Sequence, residues 1–122
     1  MSEIVYKITE SADLASAEES GALDGSADDL RDGFIHLSFA SQVPGTLERH
    51  FTGQNHLMLL AFDAKALGDA LRFEPSRGGE MFPHLYGSLP LEALLWSEPL
   101  AIAADGSHPL SDAVREKLGL AA

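Results

Sequence analysis

No cysteine occurs in the 122 residues, which removes disulfides, thiolate nucleophiles and cysteine metal sites together and suits a cytoplasmic protein. Basic residues are also scarce: 8 Lys and Arg stand against 19 Asp and Glu, for a formal net charge of -11. They are scattered along the chain. A surface of that sign repels phosphate backbones, so no nucleic-acid partner is expected, and solubility accounts for the charge without any further role. Long apolar runs are missing too, the longest being Leu57 to Phe62, far short of the roughly 20 residues that cross a bilayer. No membrane partner is expected. The start, Met1 to Lys7, has neither the basic opening nor the apolar run of a secretory signal and reads as structure. Repeats, linkers and low-complexity tracts are absent as well, so residues 1–122 are expected to form one domain, large enough for a core without staples.

What is present is organised around Asp32-Gly33-Phe34-Ile35-His36-Leu37-Ser38. A glycine turn leads into a strand in which Ile35 and Leu37 share one face and Phe34, His36 and Ser38 the other, because side chains alternate along a strand. An imidazole and a hydroxyl thus stand together on a rigid element. Ile4 to Thr9 reads as a first strand with Lys7 and Thr9 at the same polar spacing. Ser11 is placed to cap a helix over Ala12 to Glu19, ended by Gly21, and Ser26 to cap a helical turn before Gly33. Ser41 is placed to cap a third helix carrying Val43, Leu47 and Phe51 on one side.

The segment from His56 to Asp63 is apolar on both faces, which marks the middle strand of a sheet. A helical turn over Ala64 to Leu67 leads to a strand at Leu71 to Glu74, and Pro75 to Glu80 forms a loop whose paired glycines allow positive φ. Phe82-Pro83-His84-Leu85-Tyr86-Gly87 puts His84 and Tyr86 on one face, and Pro83 assigns this segment to an edge or to a strand's first residues. Leu95 to Ile102 reads as a last strand, and residues 111–120 as a terminal helix capped by Ser111. Short helices interleaved with about six strands give an α+β class. Tyr6, Ile8, Ile35, Leu37, Leu57, Leu59, Leu60, Leu85 and Trp96 are expected to share one core.

Five histidines raise a metal site, yet none shows H-x-x-x-H or comparable spacing. His50 and His108 read as surface residues and His56 as a structural residue opening the middle strand. His36, Ser38, His84 and Tyr86 either form a satisfied hydrogen-bond network in a groove or line a site that binds a ribose or phosphate oxygen and passes a proton. No acid completing a Ser-His-Asp triad is identifiable. If the loop from Arg77 to Glu80 folds over the groove, Glu80 is the carboxylate nearest His84 in sequence, and the two histidine rings are expected within about 10 Å of each other across one cavity.

Tyr6-Lys7-Ile8-Thr9, the Asp32 to Ser38 block with Gln42, Leu71-Arg72-Phe73-Glu74 and Phe82-Pro83-His84-Leu85-Tyr86-Gly87 together resemble a small bacterial and plant family catalogued as domain of unknown function number nine hundred and fifty-two. The resemblance covers about Ile4 to Pro99. It implies an ADP-ribosyltransferase-like fold of about six twisted strands with short flanking helices, similar to that of the RNA 2'-phosphotransferases, whose His-Leu-Ser strand grips NAD. It also implies NAD as cofactor, or another small nucleotide-like ligand; Lys7, Thr9, His36, Ser38 and Tyr86 are expected to bind it, and His36, His84 and Glu80 are the catalytic candidates. Lys7 stands where relatives have a histidine that helps hold the NAD ribose, and the basic RNA-reading lobe of the phosphotransferases has no counterpart. Expected alongside this reading are two alternatives: a non-catalytic ligand- or partner-binding module on the same fold, and a metal-dependent hydrolase.

Overall fold

A computed structural model describes residues 3–120; Met1, Ser2, Ala121 and Ala122, the ends of the expected domain, lie outside them. β1 (Ile4–Glu10), β4 (Leu57–Asp63) and β8 (Leu94–Leu100) form an antiparallel sheet in the order β1-β4-β8. The doubly apolar β4 is its middle strand, as its pattern requires. β3 (Ile35–His36), β6 (Met81–Leu85) and β5 (Leu71–Pro75) form a second sheet in the order β3-β6-β5. The two-residue strands β2 (Ala22–Leu23) and β7 (Leu89–Pro90) pair separately and raise the number to eight, two more than expected, because segments so short leave no alternation to read.

The expected single core is divided in two by the large sheet. Val5, Leu60 and Phe62 point to one side, where they meet Ile35, Leu37, Leu85 and Leu89. Tyr6, Ile8, Leu57 and Leu59 point to the other and pack under α3 (Val43–His50) and α5 (Asp112–Leu118), with Trp96 only partly buried at the margin. Tyr6 and Ser38 exchange backbone bonds, each N–H donating to the other's carbonyl at 2.9 Å. That bridge brings β1 against the end of β3, and so Lys7 beside His36.

Pro83 sits in the middle strand of the small sheet, neither at an edge nor at a strand's start. Its carbonyl accepts from Leu37 N at 3.0 Å, and the N–H it lacks would point the same way, toward the Leu37 carbonyl just past the last paired residue of β3. The proline therefore costs the ladder one bond, at the point where β3 ends. β1 runs straight into α1 (Ser11–Ser20), making Glu10 the N-cap and placing Ser11 inside the helix, its N–H tied to His56 O at 2.8 Å. Ser41 likewise lies within a 3-10 turn, Ala40–Gln42, which hands the capping position to Gln42. The expected caps at Ser26 and Ser111 form, Ser26 on α2 (Ala27–Asp32) and Ser111 on α5. α4 (Ala64–Leu67) also forms as read.

Candidate functional site

The α2 cap is where the site begins. Ser26 Oγ accepts from Asp29 N at 3.2 Å, and Asp29 Oδ2 accepts from Ser26 N at 2.9 Å, a reciprocal capping box. Gly25, at φ +111°, makes room for it, since a Cβ there would lie 2.8 Å from the Asp29 Cβ. Gly33, in the left-handed region at φ +85°, ends α2 and turns the chain directly into β3. In consequence Asp29 lies under His36, accepting from its backbone N–H at 3.0 Å and its Nδ1 at 2.6 Å.

Lys7 Nζ completes the group from β1, donating to Asp29 Oδ2 at 2.7 Å and to the His36 carbonyl at 3.2 Å. Only 7% of the lysine side chain and 2% of the aspartate are exposed. Burial pushes the Asp29 carboxyl up, but the His36 bond, the Lys7 charge and bond, and the Ser26 amide together hold it well below the ordinary carboxylate range. Asp29 therefore stays ionised and fixes the tautomer and tilt of the imidazole. At the mouth, His36 Nε2 lies 3.0 Å from Asp32 Oδ2, and Arg31 pairs with both Asp28 and Asp32 at 3.1 Å.

His84 stands directly opposite His36 in the β3-β6 register. Its Nδ1 donates to Glu74 Oε1 at 2.9 Å, and the Tyr86 hydroxyl donates to the same oxygen at 2.8 Å. The His84 bond, then the Tyr86 bond, hold Glu74 below its ordinary value, and the Glu74 bond pushes the Tyr86 phenol up. The two imidazole rings meet edge to face with centroids 5.7 Å apart, well inside the expected separation. Phe34 packs behind both, 4.6 Å from His36 and 4.1 Å from His84. Each histidine thus has a carboxylate behind Nδ1, the arrangement that orients a general acid or base, but only Nε2 of His84 faces the cleft without a partner among the described residues, since Nε2 of His36 meets Asp32.

Both rings open into one cleft of about 280 Å³, which Lys7 and Ser38 also line. Ser38 Oγ is hydrogen-bonded to Thr46 Oγ1 at 3.1 Å, so the α3 side of the cleft carries paired hydroxyls. Thr9 is buried and does not line the cleft, Tyr86 lies outside it under the Arg72 guanidinium, and Glu80 is exposed just after Gly79. The carboxylate that reaches His84 is Glu74, because cross-strand register brings together residues that adjacency in sequence does not. Asp29 and Glu74 are the site residues that a reading of strand faces misses, whereas Phe34 falls on the His36 face as read; the Ser26-x-x-Asp29 spacing was the one signal for Asp29.

Two of the other histidines depart from their readings. His108 is buried, its Nε2 bonded to Gln54 O at 2.7 Å, while His56 precedes β4 as an exposed residue at φ +57°. His50 is exposed as expected and lines the cleft. Among the described residues no group of three His, Asp or Glu side chains is arranged to hold a metal ion, and no helix is long and apolar enough to cross a membrane.

Comparison with known proteins places this geometry. The model of the family described as "Protein of unknown function (DUF952)" matches residues 8–97. The chain is similar to protein CC0527 of Caulobacter crescentus, whose crystal structure superposes with a TM-score of 0.85 at 43% identity over 91% of this chain and 97% of that one. A solution NMR structure of CC0527 superposes with a TM-score of 0.75 at 44% identity, covering 87% and 90%. No curated protein matches the chain.

Proposed function

The chain belongs to the DUF952 family, and within it we propose that the His36–His84 cleft is a ligand-binding acid–base site for NAD or another ADP-ribose-containing small molecule, on an ADP-ribosyltransferase-like fold. The observation that carries this reading is the pair of carboxylate-backed imidazoles facing each other at 5.7 Å in one cleft. His84 Nε2 has no partner among the described residues and is free to take a proton from an attacking hydroxyl, while His36, held between Asp29 and Asp32, reaches a ribose hydroxyl or returns a proton by exchanging its Asp32 contact. Lys7 acts through Asp29 instead of touching the ligand.

Size and charge select the part of the ligand that fits. The cleft is near the lower limit of small-molecule sites, enough for a ribosyl unit with one ring. Asp28, Asp29 and Asp32 outnumber Lys7 and Arg31 along its walls, which suits a cationic nicotinamide ring and its ribose better than a pyrophosphate. NAD when bound supplies an activated ribosyl carbon for transfer. The commitment of Lys7 to Asp29 favours a second reading, a binding module that keeps the fold without turnover.

Thermal unfolding with NAD, ADP-ribose or nicotinamide mononucleotide tests both. A ligand at 100 times its dissociation constant adds about 2.7 kcal/mol of apparent stability, and His36→Ala is expected to abolish that gain with the circular dichroism spectrum unchanged. Nicotinamide release from NAD separates the two readings: binding without release leaves the module. If none of these ligands moves the transition, the nucleotide reading fails, and a loss of stability in EDTA restored by a divalent ion would replace it with the metal-dependent hydrolase.

A further inference from the structure

β5 is an edge of the small sheet, and no second strand pairs with it among the described residues. Two bonds fix which way its polar groups point: Leu37 N donates to Pro83 O at 3.0 Å, and Tyr86 N to Ala70 O at 2.8 Å. Backbone groups alternate sides along a strand, so Arg72 and Glu74 turn theirs toward β6, opposite His84 and Phe82, and Leu71, Phe73 and Pro75 turn theirs outward. Along that outward row the Leu71 N–H turns back to Gly68 O and Pro75 has no N–H, so Phe73 carries its open donor. Phe73 is 49% exposed, leans on Phe39 at 5.5 Å between ring centroids, and lies near the exposed Met81 on the same sheet face. Arg72 and Glu74 occupy the opposite face.

We infer that β5 pairs antiparallel with β5 of a second copy of this chain, centred on Phe73. The charge pattern selects that register. Sliding the copies by two residues sets Arg72 against Arg72 in one direction and Glu74 against Glu74 in the other, and like charges directly opposite are destabilising. The centred register sets Arg72 of each copy across from Glu74 of the other, as a two-fold axis requires. Phe73 then exchanges both backbone bonds with Phe73 of the second copy. Pro75 ordinarily protects an edge, and here it limits the ladder to that central pair, with the Leu71 and Pro75 carbonyls left to water.

The pairing reaches the cleft without depending on what the cleft binds. Glu74 already accepts from His84 and Tyr86, so Arg72 of the second copy arrives beside the carboxylate that orients one of the two imidazoles.

Sedimentation of the full chain over a range of concentrations is expected to show a species of twice the 13.0 kDa chain mass. Phe73→Lys, which sets like charges across the axis at a half-exposed position, is expected to leave a monomer with an unchanged circular dichroism spectrum. Because the chain has no cysteine, Phe73→Cys is a clean probe. Cα atoms of such a pair lie about 5.5 Å apart, within disulfide reach, so mild oxidation is expected to cross-link it, whereas Leu95→Cys, 51% exposed on the edge strand β8, stays monomeric. A wild-type monomer at millimolar concentration, a dimer that survives Phe73→Lys, or equal cross-linking at both positions would each overturn the inference.

Discussion

His36 and His84 are cross-strand neighbours with the same chemical equipment, yet the carboxylates behind them are held in different ways. Asp29 is enclosed, bonded on both oxygens, and matched by a lysine that is itself buried. Glu74 is part-exposed on an edge strand, and its bonds from His84 and Tyr86 fall on one oxygen. A buried carboxylate needs several donors and a counter-charge to stay ionised, which makes it a structural element as well as an orienting group. A half-exposed one is maintained by water and can be changed with little consequence for the fold. The difference shows that one orienting device is built into the core and the other is mounted on its surface.

The largest expected effect follows from removing the enclosed carboxylate. Asp29→Ala leaves the Lys7 charge buried without a partner and strips the α2 cap, and is expected to cost about 3–5 kcal/mol in urea unfolding. Glu74→Ala is expected to leave the urea midpoint nearly unchanged; a comparable loss there would erase the distinction.

Acid is expected to separate the two residues next. Because the folded Asp29 carboxyl is held below its unfolded value of about 3.9, the stability it contributes is complete above that pH and is lost only as pH falls toward the lower folded value. The gap in urea midpoint between wild type and Asp29→Asn should stay constant from neutrality to about pH 5 and shrink below about pH 4. A gap that closes already between pH 7 and 5 would assign the titration to another group. The smallest effect is expected from Tyr86→Phe, which deletes one of the two bonds on Glu74 and should move the His84 ring signals in NMR spectra while leaving those of His36 and the unfolding midpoint in place.

Much of this arrangement is legible from periodicity. Alternation put His36 and His84 on polar strand faces, and the doubly apolar Leu57 to Phe62 run identified the strand between two packed layers. Partners fixed by register are not legible in that way. Glu74 reaches His84 because β5 and β6 pair with Arg72 opposite His84, a relation set by the whole hairpin, whereas Glu80 is close only along the chain. Pro83 misleads for a related reason: the rule against proline in middle strands assumes a neighbour on both sides for the strand's full length, and β3 is too short to be one. Lys7 reads as a groove residue until the bridge between Tyr6 and Ser38 places its amine over Asp29.

The capping box of α2 has a dynamic consequence. A helix of six residues has no independent stability in water, so its first turn persists only while Ser26 and Asp29 hold each other. Since the same carboxylate positions His36, fraying of that turn and release of the imidazole are one event on one timescale. The amide protons of Leu30 and Gly33, bonded to the Ser26 and Asp29 carbonyls, therefore serve as clocks: their exchange with deuterium reports how often the cleft loses its organised histidine while the rest of the molecule stays folded.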